Sequence, residues 1–579
     1  MLKLEKVSFL KTQLKRTLAF LGMCMVIGLA MTSNSAFAVS PSGRQITDKD
    51  FLSVSNGELK NKNGTTVSLR GVNAGAWLIQ ESWMCPVNGQ DRAWANLDTI
   101  NALKNRGFSD QQIQKLFDSY QDNWFTTTDL DNLEKMNINL VRVPFWYRNF
   151  MSDENGTWIT GNDLDNNPGI KRLDWIIEEC GKRGMYVILD CHGAPGGQSM
   201  DHCCGTLMKN ELYDSTKNRQ ILADLWTKIA SRYKGNPIVA AYDILNEPQN
   251  NGGYSGQNSW APGSSTALEK TFSVYDEMYK VIRSVDKDHV ITMEAIWDRN
   301  CLPDPKKYGW TNLMYQMHIY DTSKSGVDQR VEDLKYYKSN YGVASYAGEF
   351  NCDSYEEYAM NKFNEEGISW STWAYKGSKQ NSENGWFLYY NNLPAADSTS
   401  DSYDTILNKW GTQLNTRNFK TNTYLADLIK KHANDQIVSG KVYSILNKYS
   451  DKALDIDGFS KDNGANVQQW DYTGWENQAW KVESLSNGYY KITNINSGKV
   501  LDVADQSKEN GGNIQQWDYT GAENQQWSIT AVNGYYQIKN RYSGKVLDVA
   551  GPSKENGANI QQWDYTGGEN QLFSLLSLN

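Results

Sequence analysis

Between residues 66 and 375, short apolar runs of strand type alternate with longer stretches whose apolar residues follow a helical period. Such alternation predicts repeated βα units and a parallel sheet. Eight strands are predicted: Val67 to Asn73, Asn139 to Phe145, Tyr186 to His192, Val239 to Asn246, His289 to Ala295, Leu313 to Tyr320, Ala344 to Phe350 and Gly367 to Tyr375. Amphipathic stretches fall between them, at Leu130 to Met136, Leu173 to Cys180, Asn218 to Tyr233, Leu268 to Val285 and Val331 to Tyr337, and Tyr424 to His432 closes the series. The pattern is that of an α/β chain folded as a (β/α)8 TIM barrel, spanning residues 39–436 with long loops. From 437 to 579 the pattern changes to a repeat. Gln-Gln-Trp-Asp-Tyr-Thr-Gly begins at Gln468, Gln515 and Gln561, giving periods of 47 and 46 residues. Strand-like runs with turns at Asn487-Gly488 and Asn533-Gly534 make this part all-β, and three units too small to bury a core singly predict a closed β-trefoil.

Composition narrows what such a molecule meets. A mean hydropathy of −0.64 over 579 residues excludes a polytopic membrane protein. With 67 acidic against 58 basic residues and no dense basic stretch after residue 16, nucleic acid is excluded as a partner. The 21 Trp and 33 Tyr outnumber the 16 Phe, which favours half-wet binding surfaces such as platforms for sugar rings. Residues 1–38 read as a signal peptide: Lys3, Lys6, Lys11, Lys15 and Arg16, then the apolar run Thr17 to Met31, then Ala36-Phe37-Ala38. The expected mature chain is secreted and extracellular, is not held at a membrane, and its net charge moves from −9 to −13 as the five basic residues and Glu5 leave. It keeps Cys85, Cys180, Cys191, Cys203, Cys204, Cys301 and Cys352, an odd number that leaves at least one thiol unpaired.

Chemistry in barrels of this kind sits at the C-terminal ends of the strands. Those ends carry Arg142, His192, Asn246 with Glu247, His318 with Tyr320, Glu349 and Trp373. Two carboxylates on opposite sides of a barrel mouth suit glycosidic bond cleavage, in which one protonates the leaving oxygen and the other attacks or stabilises the sugar. Arg142 and Tyr320 would hold Glu349 ionised as nucleophile, leaving Glu247 as acid and later base. Asn246 would bind the sugar 2-hydroxyl, His192 and His318 would orient carboxylates or hydroxyls, and Trp373 would floor the site. Cys191, His192, Asp201, His202, Cys203 and Cys204 are metal-ligand types close in sequence, but their spacing fits no standard zinc pattern. No metal and no cofactor are expected.

These residues carry a resemblance. Residues from about 50 to 435 look like glycoside hydrolase family 5, through Arg70-Gly71-Val72-Asn73, Val141-Arg142-Val143-Pro144, Asp190-Cys191-His192-Gly193, Leu245-Asn246-Glu247-Pro248, His318-Ile319-Tyr320, Gly348-Glu349-Phe350 and Trp370 to Trp373. The resemblance implies metal-free double displacement with Glu247 as acid/base and Glu349 as nucleophile. Gly71 to Trp77 and His192 to Gln198 are similar to the exo-β-1,3-glucanase branch, whereas His318 to Asp321 and Glu81 to Trp124 depart from it, so linkage and exo or endo action stay open.

In the repeat, an Asp precedes a Trp by fifteen residues and an Asn by twenty-two: Asp455, Trp470 and Asn477; Asp502, Trp517 and Asn524; Asp548, Trp563 and Asn570. An acceptor, a stacking face and an amide at fixed spacing predict one shallow sugar site per lobe, while Trp480, Trp527 and Phe573 read as packing. The segment resembles the ricin B-type lectin fold, carbohydrate-binding module family 13, including Gln478 to Trp480 and Gln525 to Trp527. The intralobe cysteine pair usual in that family is replaced by Ala453 with Tyr472, Val500 with Tyr519 and Val546 with Tyr565, so stability is expected from packing alone. Trp77, Trp83, Trp146, Trp297 and Trp386 are further candidate platforms in the barrel cleft. The reading is a secreted, monomeric, retaining β-glycosidase that hydrolyses β-glucan polysaccharide, with the trefoil binding a glycan. Exo-β-1,3-glucosidase-like action, β-mannan or xylan hydrolysis on the same barrel, and a non-catalytic glycan-binding protein are the alternatives.

Overall fold

The computed structural model describes residues 45–578, apart from 63, 65, 89–93, 251–263, 297, 379–384, 434–436, 438–439, 486 and 533–534. Residues 1–38, read from sequence as a signal peptide, Trp297 and the turn at Asn533-Gly534 lie outside the described residues.

Eight parallel strands close into a barrel in chain order: β1 (Arg70–Asn73), β2 (Leu140–Trp146), β3 (Tyr186–Gly193), β4 (Val239–Asp243), β5 (Val290–Ala295), β6 (Leu313–Ile319), β7 (Ala344–Phe350) and β8 (Ser369–Thr372). Every residue of these strands is buried, as expected when helices cover a parallel sheet outside and side chains fill it inside. The expected (β/α)8 barrel followed by a β-trefoil is the architecture found. One boundary moves functionally: β4 stops at Asp243, so Asn246 and Glu247 stand on the bend beyond it and not on the strand. Glu247 has φ of +42° there, a conformation that β-branched and long side chains seldom adopt.

The two ends of the barrel differ in character. At the N-terminal end, a hairpin of Ser53–Ser55 and Glu58–Lys60 caps an apolar plug of Leu52, Leu59, Leu69, Leu140, Ile188, Val290 and Met314. At the C-terminal end, long loops follow β1, β3 and β8. The first and last are joined by bridge pairing of Val87 with Ala396. Lys376, fully buried in the last, donates to Leu414 O at 2.8 Å, to Thr416 Oγ1 at 2.9 Å and to Trp124 O, which pins that loop to the outer helices.

The C-terminal domain has twelve antiparallel strands: β9 (Lys441–Asn447), β10 (Ala453–Ile456), β11 (Val467–Trp470), β12 (Trp480–Ser484), β13 (Tyr490–Asn494), β14 (Val500–Val503), β15 (Gly512–Trp517), β16 (Trp527–Val532), β17 (Tyr535–Asn540), β18 (Val546–Val549), β19 (Ile560–Trp563) and β20 (Phe573–Leu578). Trp480, Trp527 and Phe573 are fully buried at equivalent core positions. Packing is not the whole of its stability. The second Gln of each repeat reaches into the adjacent lobe: Gln469 donates to Ser553 O and Glu555 O, Gln516 to Ser460 O and Asp462 O, and Gln562 to Ser507 O and Glu509 O. Asn466, Asn513 and Asn559 complete a closed triangle of amide hydrogen bonds of 2.8–3.0 Å. These bonds tie each lobe to the next, and each satisfies carbonyls or amides that would otherwise be left without partners.

Candidate active site

Arg142 on β2 organises the barrel mouth. Its guanidinium donates to Glu349 Oε1 at 2.7 Å, Asn246 Oδ1 at 2.9 Å, Asn73 Oδ1 at 3.0 Å and Asp243 Oδ2 at 2.9 Å, with Asp190 Oδ2 at 3.1 Å. Burial opposes its charge, but Asp190, Asp243 and Glu349 together outweigh burial and hold its pKa well above the ordinary value. The fork therefore stays a cation and ties β1, β3, β4 and β7 together at once.

Glu349 at the end of β7 is held at both oxygens, by Arg142 and by Tyr320, whose hydroxyl donates to Oε2 at 2.7 Å. Burial raises its pKa and Arg142 acts against that rise. Gly348 before it has no room for a side chain, since a Cβ there would stand 1.8 Å from Gln316 Oε1. On the far side, burial pushes the pKa of Glu247 up to about 7. A carboxyl whose proton affinity is raised into the neutral range faces one anchored by a guanidinium, which is the asymmetry an acid and a nucleophile need.

His318 on β6 ties the two together. Its Nδ1 lies 2.9 Å from Glu247 Oε1, 3.3 Å from Glu349 Oε2 and 3.4 Å from Glu294 Oε1. Burial drives its pKa down to about 3, so the ring is neutral, and three carboxyl oxygens around Nδ1 place its one proton there. With both carboxylates this close to one nitrogen, their nearest oxygens are within about 6 Å, short of the gap of about 6.5–9.5 Å that inverting glycosidases keep.

His192 on β3 has Nδ1 2.8 Å from Asp190 Oδ2. Burial works against its charge, yet Asp190 more than offsets it and brings the pKa up to about 9. Its ring stacks on Trp373, at 5.5 Å between centroids and 6° between planes. Asn246 gives its Oδ1 to Arg142, which turns the amide nitrogen towards the cavity side near His192 Nε2, 3.4 Å away. The structure thus brings Arg142, His192, Asn246, Glu247, His318, Tyr320, Glu349 and Trp373 into one cluster.

Several members were not singled out from sequence. Glu294, the penultimate residue of β5, accepts from the Glu247 amide at 2.6 Å and so holds the strained backbone of the acid. Burial first, then the neighbouring Glu247, raises its pKa well above the ordinary carboxylate range. Burial also lifts Asp243 to about 7, with Arg142 opposing. Asp190, Asp243 and Glu349 all lie against the Arg142 guanidinium, which offsets the cost of burying so many acids in one place. Glu247, Glu294 and His318 bring carboxyl and imidazole atoms within 4.8 Å of one another. Gln198 donates to His192 O and Asn246 O at 2.8 and 2.9 Å and binds the ends of β3 and β4 together.

The aromatic platforms divide. Trp77 and Trp146 are each 2% exposed and belong to the core, a correction to their reading as cleft residues. The cause is visible for Trp77, whose indole donates to Gln121 O behind the barrel wall at 2.8 Å. Trp83 and Trp386 meet edge to face at 5.5 Å, and Trp386 also stacks on Tyr320 at 5.1 Å, which brings this pair to the mouth.

In the trefoil, each repeated Asp is clasped by amides. Asp455 accepts from Gln468 at 3.1 Å, Asn477 at 2.7 Å and Gln478 at 3.0 Å. Asp502 accepts from Gln515 and Asn524, and Asp548 from Gln561, Asn570 and Gln571, at 2.8–3.0 Å. The Asp and Asn are buried, whereas Trp470, Trp517 and Trp563 stand 41, 39 and 37% exposed. Beside them, Tyr472, Tyr519 and Tyr565 are exposed as well, a second aromatic per lobe that the repeat contained in its Asp-Tyr-Thr-Gly half.

Residues 98–379 match the family model described as cellulase (glycosyl hydrolase family 5), and segments 432–517, 476–563 and 523–578 match that of the ricin-type β-trefoil lectin domain-like family. A β-xylosidase of Phanerodontia chrysosporium is 26% identical over 367 residues, covering 56% of this chain and 71% of its own. A glucan 1,3-β-glucosidase of Candida oleophila is 25% identical over 255 residues, covering 42% of this chain and 54% of its own, so the chain spans about half the length of that relative. A designed 3-fold symmetric protein, ThreeFoil, is 43% identical in its crystal structure, covering 24% of this chain and 99% of that chain with a TM-score of 0.24.

Proposed function

We propose that this chain, an O-glycosyl hydrolase whose barrel belongs to the cellulase family, glycosyl hydrolase family 5, is a secreted retaining enzyme of β-glucan polysaccharide with a glycan-binding trefoil. The observation that carries the mechanism is the pair Glu247 and Glu349 on one His318 nitrogen, with unequal proton affinity. Glu349 attacks the anomeric carbon from one face while Glu247 passes its proton to the departing glycosidic oxygen. A glycosyl ester on Glu349 results. Glu247, now a carboxylate, takes a proton from water as that water attacks the same carbon, and Glu349 leaves as the carboxylate it was. Asn246 offers its amide nitrogen to the 2-hydroxyl, where contacts strengthen as positive charge develops on the ring. Trp373 and His192 form one stacked wall, and Trp83 with Trp386 offers aromatic faces further out.

The leader at 1–38 supports export, and the three exposed tryptophans support retention on a polymer. Three weak contacts on one body raise local concentration far more than one. A second substrate reading, a β-xyloside, is favoured by the name of the Phanerodontia chrysosporium relative. Purified enzyme incubated with β-1,3-glucan, β-1,4-glucan, mannan and xylan, with product analysis, separates these. Glucan as the preferred substrate supports the proposal, xylan in its place supports the second reading, and turnover of Glu349→Gln equal to that of the unaltered enzyme contradicts both.

A further inference from the structure

The three lobes of the trefoil share one framework, so what a single lobe adds to it stands out. Counted from the clasped aspartates Asp455, Asp502 and Asp548, three positions differ in kind. Two residues on stand Asp457, Ala504 and Ala550; four on, Phe459, Gln506 and Pro552; twenty on, Trp475, Ala522 and Gly568. At these positions the lobe of Asp455 alone carries a carboxylate and two aromatic rings.

All three additions lie at the clasp. Gln468, which donates to Asp455 Oδ1 at 3.1 Å, also reaches Asp457 Oδ1 at 3.3 Å. Phe459 ends the 310 turn Asp457–Phe459, which directly follows β10, the strand of Asp455. Trp475 stands two residues before Asn477, which donates to Asp455 Oδ2 at 2.7 Å. The rings of Phe459 and Trp475 meet, with centroids 5.2 Å apart. They make one aromatic surface from the two segments that hold the clasp.

Packing does not account for this pair. Trp475 is 58% exposed, the highest value of any large apolar side chain among the described residues, Phe459 is 44% exposed, and neither belongs to the trefoil core. Phe459 has φ of +54°, a left-handed backbone that bulky side chains seldom adopt. The bend itself does not call for phenylalanine, since Gln506 holds φ of +52° at the same place in the next lobe. Asn496 fixes the turn by donating to Phe459 O at 3.1 Å. In the other two lobes a lysine lies over a tyrosine at this edge, Lys508 over Tyr542 at 4.4 Å and Lys554 over Tyr449 at 4.7 Å, and Asn496 stands where those tyrosines do. A bulky ring kept in a strained turn and left in water marks a binding surface.

Aromatic faces beside a carboxylate acceptor suit a pyranose, whose C–H face stacks while its hydroxyl rim donates. On the glycan-binding reading of the trefoil, on which this inference rests, we propose that Asp457, Phe459 and Trp475 form a second sugar subsite adjoining the one at Asp455, Trp470 and Asn477. The lobe of Asp455 then holds a longer run of linked sugar units than the other two and dominates retention on a polymer.

Full-length protein carrying Glu349→Gln, so that the probe is not hydrolysed, is run on affinity gels of β-1,3-glucan, β-1,4-glucan, mannan, xylan and galactan. In the gel that retards it, Asp457→Ala, Phe459→Gln and Trp475→Ala together, which give this lobe the residues of the next, should weaken retention by about five- to tenfold. All three side chains are exposed, so the fold should hold, and the melting midpoint checks that it does. The reciprocal change, Ala504→Asp, Gln506→Phe and Ala522→Trp, should strengthen retention. Titration with the matching tetrasaccharide should show the first loss, and titration with the monosaccharide should not. No retardation in any gel, or retardation unchanged when Trp470, Trp517 and Trp563 are replaced, overturns the glycan-binding reading and this inference with it. Retardation that depends on those tryptophans but is equal in the folded lobe-converted variant overturns this inference alone. A converted variant that changes only the mass measured by light scattering makes the pair a contact between copies of the chain, which also overturns it.

Discussion

At the barrel mouth, different side chains from all eight strands and the bends after them come together, from Asn73 at the end of β1 to Trp373 after β8, and nearly all of them are buried. In the trefoil one short motif is used three times, and its aromatic faces stand in solvent. The contrast follows from what each region has to do. On the proposed function, moving a proton and forming a glycosyl ester require acids in different surroundings: burial raises both Glu247 and Glu349, and Arg142 donates directly to Glu349. On the same reading, holding a glycan requires no shifted acid, only stacking faces in number: in each lobe the Asp is clasped by amides and the tryptophan stands exposed.

The comparison breaks most visibly at the nucleophile. Glu349→Gln should lower kcat by about a thousandfold or more in steady-state hydrolysis while leaving polysaccharide retention on affinity gels untouched. Next is Glu247→Gln, with a loss of about 10²–10⁴-fold on substrates whose leaving group needs a proton. In the unaltered enzyme that proton is present below the Glu247 pKa and is lost as pH rises through about 7, so kcat/KM should fall on the alkaline side with a midpoint near there. A flat profile up to pH 9 would remove Glu247 from the role of acid. Glu294→Ala leaves the Glu247 amide without its acceptor, at a cost of about 1–3 kcal/mol or roughly ten- to a hundredfold in kcat, whereas Glu294→Gln keeps an acceptor and should lose less. The smallest effect on chemistry is expected at the other region. Replacing Trp470, Trp517 and Trp563 together with Ala should weaken polysaccharide retention by tenfold or more with near-normal turnover of a small soluble substrate.

Much of this was legible in the chain. Strand periodicity located the barrel, and polar residues at strand ends located Arg142, His192, Glu247 and Glu349. Asp243 was passed over because the apolar run continues to Leu245, which put the strand end three residues late; the chain turns out of the sheet sooner, where the Glu247 amide finds a side chain in place of a ladder partner. Glu294 obeyed the same strand-end rule, but a lone Glu among Val290, Ile291, Thr292 and Met293 gives no hint that it faces another acid. Trp77 and Trp146 show the converse limit. Their composition suits a platform, yet only packing decides whether a tryptophan faces sugar or core. The inter-lobe role of Gln469, Gln516 and Gln562 was equally out of reach, since a repeat read along one chain does not say which lobe its second Gln touches.

The central claim is that Glu349 carries the sugar between the two half-reactions while Glu247 handles the proton. Incubation with a 2-deoxy-2-fluoro-β-glucosyl fluoride, which slows the second half-reaction more than the first, followed by proteolysis and mass spectrometry, tests it directly. The account predicts one glycosyl adduct, on the peptide containing Glu349, formed as activity is lost. An adduct on Glu247 or Glu294, or turnover of the reagent that yields the α-anomer first without any adduct, would contradict it.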